Sequence, residues 1–369
     1  MRTPTLIAAA VLVAIAMTGC KKQTAPAASE TPPDPAGRAG QVSTDPSSAS
    51  SEGNSPPRRA ARDRPTRVGA ELPEDTNTIE RLSPLQAFKL VQKSKGKLSL
   101  NGLKSLDAAT ANLLAQFEGT LELNSLTTLD AATAKALGES KPRYLALNGL
   151  TTLDAATAKA LGEFKGSYFL SLNSLSTLDA DTAKALAEIK GSLYLPGLTT
   201  LDANTAKGFA EFKGSYLGLD GLTTLDAATA KAIGEIKSEG LYLNGLTALD
   251  AASAKALAEF KGQGLALNRL TTLDSATAKG LGEFKGGFLG LNGLTTLDTD
   301  AAKPIGEFKG RALGLNGLTT LDADTAKALG EFKGETLDLN ALTTLDADTA
   351  KALAESKGSL VSRKILFVG

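Results

Sequence analysis

From about residue 97 to residue 359 the chain repeats one pattern of apolar and polar positions. In the copy YLALNGLTTLDAATAKALGEFKG, from Tyr144 to Gly166, two periods follow one another. The opening alternates. Leu145 and Leu147 fall on one face of an extended segment, and Tyr144, Ala146 and Asn148 fall on the other. The close is Ala-rich and places Ala158, Leu161 and Phe164 on one helical stripe. Asp154 stands where an N-cap accepts the first free amides, Leu153 precedes it as a staple to Ala158, and Gly166 ends the helix. A strand of about five residues spans roughly 16 Å. A helix of about eleven residues spans roughly the same distance. Strand and helix match in length, so each coil closes on itself.

The Asp of each copy marks the period: Asp107, Asp130, Asp154, Asp179, Asp202, Asp226, Asp250, Asp274, Asp298, Asp322 and Asp346. Their spacing is 23 to 25 residues and settles at 24 from Asp202 onward. Helical-hairpin repeats need more than about thirty residues per unit, so they do not fit. The expected fold is α/β: a right-handed solenoid with one parallel strand and one helix per coil of about 24 residues.

The skeleton LxLNGLTTLDAATAKALGEFKG resembles the leucine-rich repeat, nearest to its short bacterial cell-surface varieties, over about Ser83 to Leu360. Asn148 follows Leu147 directly, earlier than in the common repeat, and LYLPGLTTLD carries Pro196 at the Asn place. The resemblance implies a parallel sheet on a concave side, helices on a convex side, and binding rather than catalysis.

Both ends depart from the repeat. LSPLQAFKLVQKSKG reads as a half-coil cap over residues 82–96, with Ser83 as N-cap, Pro84 at the first helical position, and Ala87 and Leu90 facing the core. Eleven coils follow over about 97–359. In the segment 360–369, Leu360 starts one more strand, and the apolar tail RKILFVG is either a folded-back cap or a sticky sheet end. Pro304 falls inside an expected helix, which should therefore start late, near Lys303, or kink.

The N-terminal region has no such period. MRTPTLIAAAVLVAIAMTGC has Arg2, an apolar run from Leu6 to Met17, and small residues before Cys20. The run is short for a membrane span and reads as a signal peptide over residues 1–19. The small residues before Cys20 resemble the lipobox of bacterial lipoproteins, which implies acylation of Cys20 and a lipid anchor. Lys21 after the cysteine favours the outer membrane of a bacterial envelope. Residues 20–81 are rich in Pro, Ser, Ala and Gly, and read as a disordered linker with an end-to-end span of about 40 Å. Its cluster Arg58, Arg59, Arg62, Arg64 and Arg67 reads as a solvated charge run.

Composition removes most chemistry. There is no histidine or tryptophan and a single cysteine among 369 residues. His-dependent triads, His or Cys zinc sites and disulfides are thereby excluded. No metal, cofactor or enzymatic activity is expected. The 40 basic and 40 acidic residues cancel, so no field points to nucleic acid. The repeated Asp residues read as caps. Lys159 and Glu163 recur on an outer helix face, each relieved by its partner one turn away, and pairs such as Thr151 and Thr152 form the strand-to-helix turn.

What varies between coils is the outward face of the strands. It carries Tyr144, Phe169, Tyr194, Tyr216 and Tyr242 in five consecutive coils, then Phe288. Farther on, Gly290 and Gly314 leave the face nearly bare, as Gly218 does within the run. Such a strip offers a platform for a protein, peptide or glycan, and it equally serves packing across neighbouring strands. The expected function is a monomeric, membrane-anchored extracytoplasmic binding module presenting this concave face. The alternative is a structural envelope spacer without a specific ligand.

Overall fold

The computed structural model describes residues 72–139, 142–163, 169–212, 214–354, 359–361 and 366–367. The expected signal peptide, Cys20, the linker up to residue 71, Phe164 and Gly166 lie outside the described residues. All described residues belong to one compact unit, Thr66–Gly369.

The first six strands are Gly96–Ser99 (β1), Gly119–Glu122 (β2), Tyr144–Ala146 (β3), Phe169–Ser171 (β4), Ser192–Tyr194 (β5) and Tyr216–Gly218 (β6). Next come Gly240–Tyr242 (β7), Gly264–Ala266 (β8), Phe288–Gly290 (β9), Ala312–Gly314 (β10) and Thr336–Asp338 (β11). Two short strands, Thr344–Leu345 (β12) and Ser359–Val361 (β13), follow. Strands β1 to β11 and then β13 form one sheet of 12 strands in chain order. The strand pairings are parallel, and the register places leucine on leucine, as Leu145 on Leu170 and Leu241 on Leu265. A helix crosses over between each successive pair, the connection for which right-handedness is the rule. The described residues form a leucine-rich-repeat-type solenoid.

The core runs the length of the stack. In one coil Leu145, Leu147, Leu150, Ala158 and Leu161 are all fully buried, and the equivalent residues of the other coils repeat this. Each leucine contributes about 1.5–3 kcal/mol by leaving water. Every one of the eleven period-marking aspartates caps a helix. For example, the Thr157 amide donates to Asp154 Oδ1 at 2.7 Å and the Thr349 amide to Asp346 Oδ1 at 2.8 Å. The capping residue's partner is itself buried. The Thr157 hydroxyl donates to Asp154 Oδ2 at 3.1 Å, and the Ser253 hydroxyl reaches back to the Leu225 carbonyl at 3.1 Å. In five coils this third residue of the helix, Thr133, Thr157, Thr229, Ser253 or Thr277, stitches one coil to the preceding one.

Four expectations need correction. The helices are shorter than eleven residues; Ala155–Gly162 and Ala251–Ala258 have eight. The last turn tightens, with the Phe260 amide donating to the Leu257 carbonyl at 3.0 Å. That turn swings the following phenylalanine off the helix and inward. Phe260, Phe284, Phe308 and Phe332 stack as a buried column with centroids 6.0–6.2 Å apart. Second, the Pro304 helix starts with the others, at Thr299, and runs to Gly306. Its cap Asp298 and the fully buried Ala301, Ala302 and Ile305 hold it in place despite one lost backbone bond. Third, several ion pairs of exposed residues join coils, as Lys237 with Glu211 at 2.7 Å and Arg311 with Glu335 at 2.7 Å, while Lys303 with Asp300 at 3.3 Å pairs within one helix. Glu163 stands at the helix's C-cap, its backbone amide donating to the Lys159 carbonyl at 3.2 Å. Fourth, packing begins ahead of residue 82, because Ile79 is buried and the Thr76 hydroxyl donates to the Ser99 carbonyl.

The cap helix is Pro84–Lys93, with Ser83 as N-cap in a reciprocal bond pair with Gln86, and with Ala87 and Leu90 buried. At the far end Leu366–Phe367 (β14) pairs in parallel with β12, so the tail folds back onto the solenoid.

Candidate ligand-binding face of the sheet

With the leucines inward, three outward rows remain on the sheet. The first row precedes the first leucine of each strand, the second lies between the two leucines, and the third is the Asn place. Tyr144, Phe169, Tyr216 and Phe288 stand in the first row; Tyr194 and Tyr242 stand in the second.

The structure brings five of these six aromatics into one chain of rings. Tyr144 meets Phe169 at 6.5 Å between centroids, Phe169 meets Tyr194 at 5.7 Å, Tyr194 meets Tyr242 at 6.3 Å, and Tyr242 meets Tyr216 at 5.7 Å. Among the described residues Phe288 stands apart from this chain of rings; its ring lies beside Gly290 and Gly264. The glycines between the rings make the arrangement possible. A Cβ on Gly218 would come within 2.6 Å of the Tyr194 ring, and one on Gly240 would come equally close to the Tyr216 ring. Tyr194 and Tyr216 thus each lie over a bare backbone on the next strand, with large and small residues alternating at these two pairings.

Burial differs along the strip. Tyr144, Phe169, Tyr216 and Tyr242 are half-buried, whereas Tyr194 is only 6% exposed. Its hydroxyl has no hydrogen-bond partner among the described residues. Burial, and then the neighbouring Tyr242 and Asp220, push its ionisation far above the ordinary phenol range. Burial does the same to Tyr242, with Tyr216 and Asp220 adding to it.

The third row holds a ladder that the repeat pattern had not disclosed. Each Asn Oδ1 accepts the backbone amide of the equivalent residue one coil on. Asn77 accepts from Asn101 at 3.1 Å, Asn124 from Asn148 at 3.3 Å, and Asn148 from Asn173 at 3.1 Å. Farther along, Asn244 accepts from Asn268 at 3.1 Å and Asn316 from Asn340 at 3.0 Å. The ladder breaks once. Pro196 has no amide to give Asn173 and no side-chain acceptor for the next coil. Asp220 restarts it, accepting the Asn244 amide on Oδ1 at 2.9 Å.

Asp220 is a residue that sequence reasoning missed, although its signal was legible as the one carboxylate in a column of Asn. Its Oδ2 is buried without a partner among the described residues. Burial raises its carboxyl above the ordinary range, and the bonds from Asn244 offset this only in part. Glu122 near the N-terminal end shows the contrast. Burial raises it too, but Lys97 at 2.9 Å, the Ser99 hydroxyl at 2.7 Å and the Asn101 amide at 3.2 Å bring it below the ordinary range. No lysine or arginine stands in the outward rows of β3 to β10, where Asp220 is the one charged residue.

Two open depressions lie elsewhere, one among Thr152, Leu153, Thr177, Leu178 and Asp179, the other between helices near Lys159 and Lys184. Among the described residues, no group of three or more Cys, Asp or Glu side chains is placed to hold a metal ion.

No protein-family model matches the sequence, and no curated protein matches it. Solved structures do resemble its fold. TLR13 in its complex with ssRNA13 is similar at 20% identity over 73% of this chain and 38% of that one, with a TM-score of 0.49. A chain of the Drosophila Toll–Spatzle complex is similar at 12% identity over 73% of this chain and 54% of that one, with a TM-score of 0.32. The chain thus spans about two-fifths to about half the length of these similar chains.

Proposed function

We propose that the protein is a lipid-anchored, extracytoplasmic binding module whose outward sheet face takes a protein, peptide or glycan. The observation that carries this is the continuous chain of rings from Tyr144 to Tyr216 on the solvent side of a rigid sheet. Aromatic rings held in place by a scaffold offer large contact area with little side-chain entropy left to lose on binding. The face is a surface rather than a cavity, which suits an extended partner. Binding without catalysis fits a chain that has no histidine and one cysteine. The apolar run before Cys20 supports the anchor, with acylation of that cysteine holding the module at a bacterial outer membrane.

The test is capture from envelope extract, using the protein against a variant with Tyr144, Phe169, Tyr194, Tyr216 and Tyr242 changed to Ser. A circular dichroism melt of the variant confirms that it folds. Partners retained by the parent and lost by the folded variant support the module; equal capture leaves an envelope spacer without a ligand. The anchor has its own test. Cys20→Ser should abolish fatty-acid labelling, and label remaining on that variant would overturn the assignment.

A further inference from the structure

The break in the Asn ladder coincides with the densest part of the aromatic strip. Asp220 lies two residues beyond Gly218, on the same face, and Gly218 pairs with Tyr194 on one side and with Tyr242 on the other. The carboxylate therefore sits beside two tyrosines of the second row, and it acts electrostatically on both hydroxyls. Two buried polar atoms are left over here, Asp220 Oδ2 and the Tyr194 hydroxyl. In the ordinary ladder an Asn presents Nδ2 at this place, as Asn292 Nδ2 donates to Asn268 Oδ1 at 2.9 Å and Asn340 Nδ2 to Asn316 Oδ1 at 2.8 Å. Asp220 replaces that donor by an acceptor, next to a proline that offers nothing to bond. The polarity of the ladder is inverted at one coil.

An acceptor carboxylate, a hydroxyl with free lone pairs and the faces of electron-rich rings call for the same visitor. A cation that donates hydrogen bonds satisfies both oxygens and gains from the ring quadrupoles. A neutral sugar hydroxyl would satisfy one bond and leave the charge uncompensated, in a stretch of face that has no basic residue. Charge complementarity selects the cation.

We infer that Asp220 Oδ2 and the Tyr194 hydroxyl, with the rings of Tyr216 and Tyr242 beside them, bind an organic cation, an alkylammonium or guanidinium group. This rests on the reading of the aromatic strip as a ligand face, and specifies what one part of that face recognises. The group arrives on a free amine or on a lysine or arginine side chain; the chemistry at Asp220 is the same.

The full chain is titrated with butylammonium, with a capped tripeptide centred on lysine, with its norleucine counterpart and with a neutral trisaccharide. Shifts of the tyrosine ring signals are followed by NMR. Butylammonium and the lysine peptide should give saturable shifts, and the norleucine peptide should not. Equal affinity for the two cations identifies the amine alone as sufficient, whereas tighter binding of the peptide identifies a polypeptide side chain; either supports the site. Asp220→Asn should weaken cation binding by about tenfold or more, because the charge is lost while the shape stays. That variant keeps the Oδ1 acceptor for Asn244 and installs the residue found at this place in most coils, so the fold is preserved. Tyr194→Phe, which keeps the ring, should weaken binding several-fold. Absence of saturable shifts in the parent, equal binding by Asp220→Asn, or a trisaccharide that binds parent and variant alike would overturn the inference. Loss of cation binding in Asp220→Asn without loss of envelope capture would separate this site from the broader face.

Discussion

The ring of Tyr194 lies across Gly218 of the next strand, so closely that a Cβ there would stand 2.6 Å from Cδ1. Tyr194 is buried by its neighbours on the same face rather than by the core. Gly218→Ala should therefore expel the ring or push the strands apart, lowering stability by about 1–3 kcal/mol. With no tryptophan in the chain, tyrosine emission and a thermal melt report both effects. An unchanged melting temperature with unchanged emission would show that the ring is not held by this contact.

Asp220 and the helix caps should respond to pH with opposite sign. Burial raises the Asp220 carboxyl in the native state, where Tyr194, Tyr242 and the Asn244 amide surround it. The native protein then holds its proton to higher pH than the unfolded chain does. The contribution of Asp220 is fully present below about pH 4, the unfolded carboxyl range, and is lost as pH rises through the raised native value. Asp220→Asn removes that loss. Denaturant melts should find the variant more stable than the parent at pH 7, with the gap closing toward acid.

The capping aspartates run the other way. Bonds from backbone amides hold Asp179, Asp202, Asp226, Asp274 and Asp346 below the ordinary carboxylate range, and Asp107 likewise. Their contribution is present above about pH 4 and is lost as pH falls through the lowered native values. The repeat multiplies a small effect, so a sharp acid transition is expected below pH 4. Asp226→Asn should shift it little and Asp226→Ala should cost about 1 kcal/mol at pH 7. Melts of the two variants at pH 7 and in acid check this.

Pro304 occupies a helix that forms in spite of it. Pro304→Ala restores the amide in a helix already capped by Asp298 and should stabilise the protein by about 1–3 kcal/mol. A loss of stability on chemical denaturation would mean that the ring fills a gap no alanine can.

Linear stacking has a consequence for deletion. Removing residues 265–288 takes out one whole 24-residue period of the stack, and the neighbouring coils present matching leucines to one another. The shortened protein should fold and melt cooperatively. Leu243→Asp should be far more damaging, by several kcal/mol, because Leu243 is fully buried and the charge finds no partner there. A collapsed deletion variant beside a healthy Leu243→Asp variant would contradict the additive scheme.

Much of this architecture was legible because its signals are local. Leu145 and Leu147 two residues apart define a strand face, and Asp154 three residues before Thr157 defines a cap; both relations lie within one short segment. The period of the aspartates then forces a stack. What the sequence by itself determined is therefore the coil, its repeat and the row of outward aromatics. The tertiary structure decided everything that links one coil to the next. The Asn ladder joins residues 24 apart, as Asn244 to Asn268, and only the strand register shows that the Oδ1 of one meets the amide of the other. The same register lays Tyr194 on Gly218 and leaves Asp220 beside it, while Pro196 interrupts the ladder there. It also turned the phenylalanines inward, since a tightened last turn and the column of neighbouring rings outweigh continuation of the helix. Hydrogen bonds and ring contacts between coils depend on where the backbone of the next coil lies, and that position exists only once the stack has formed.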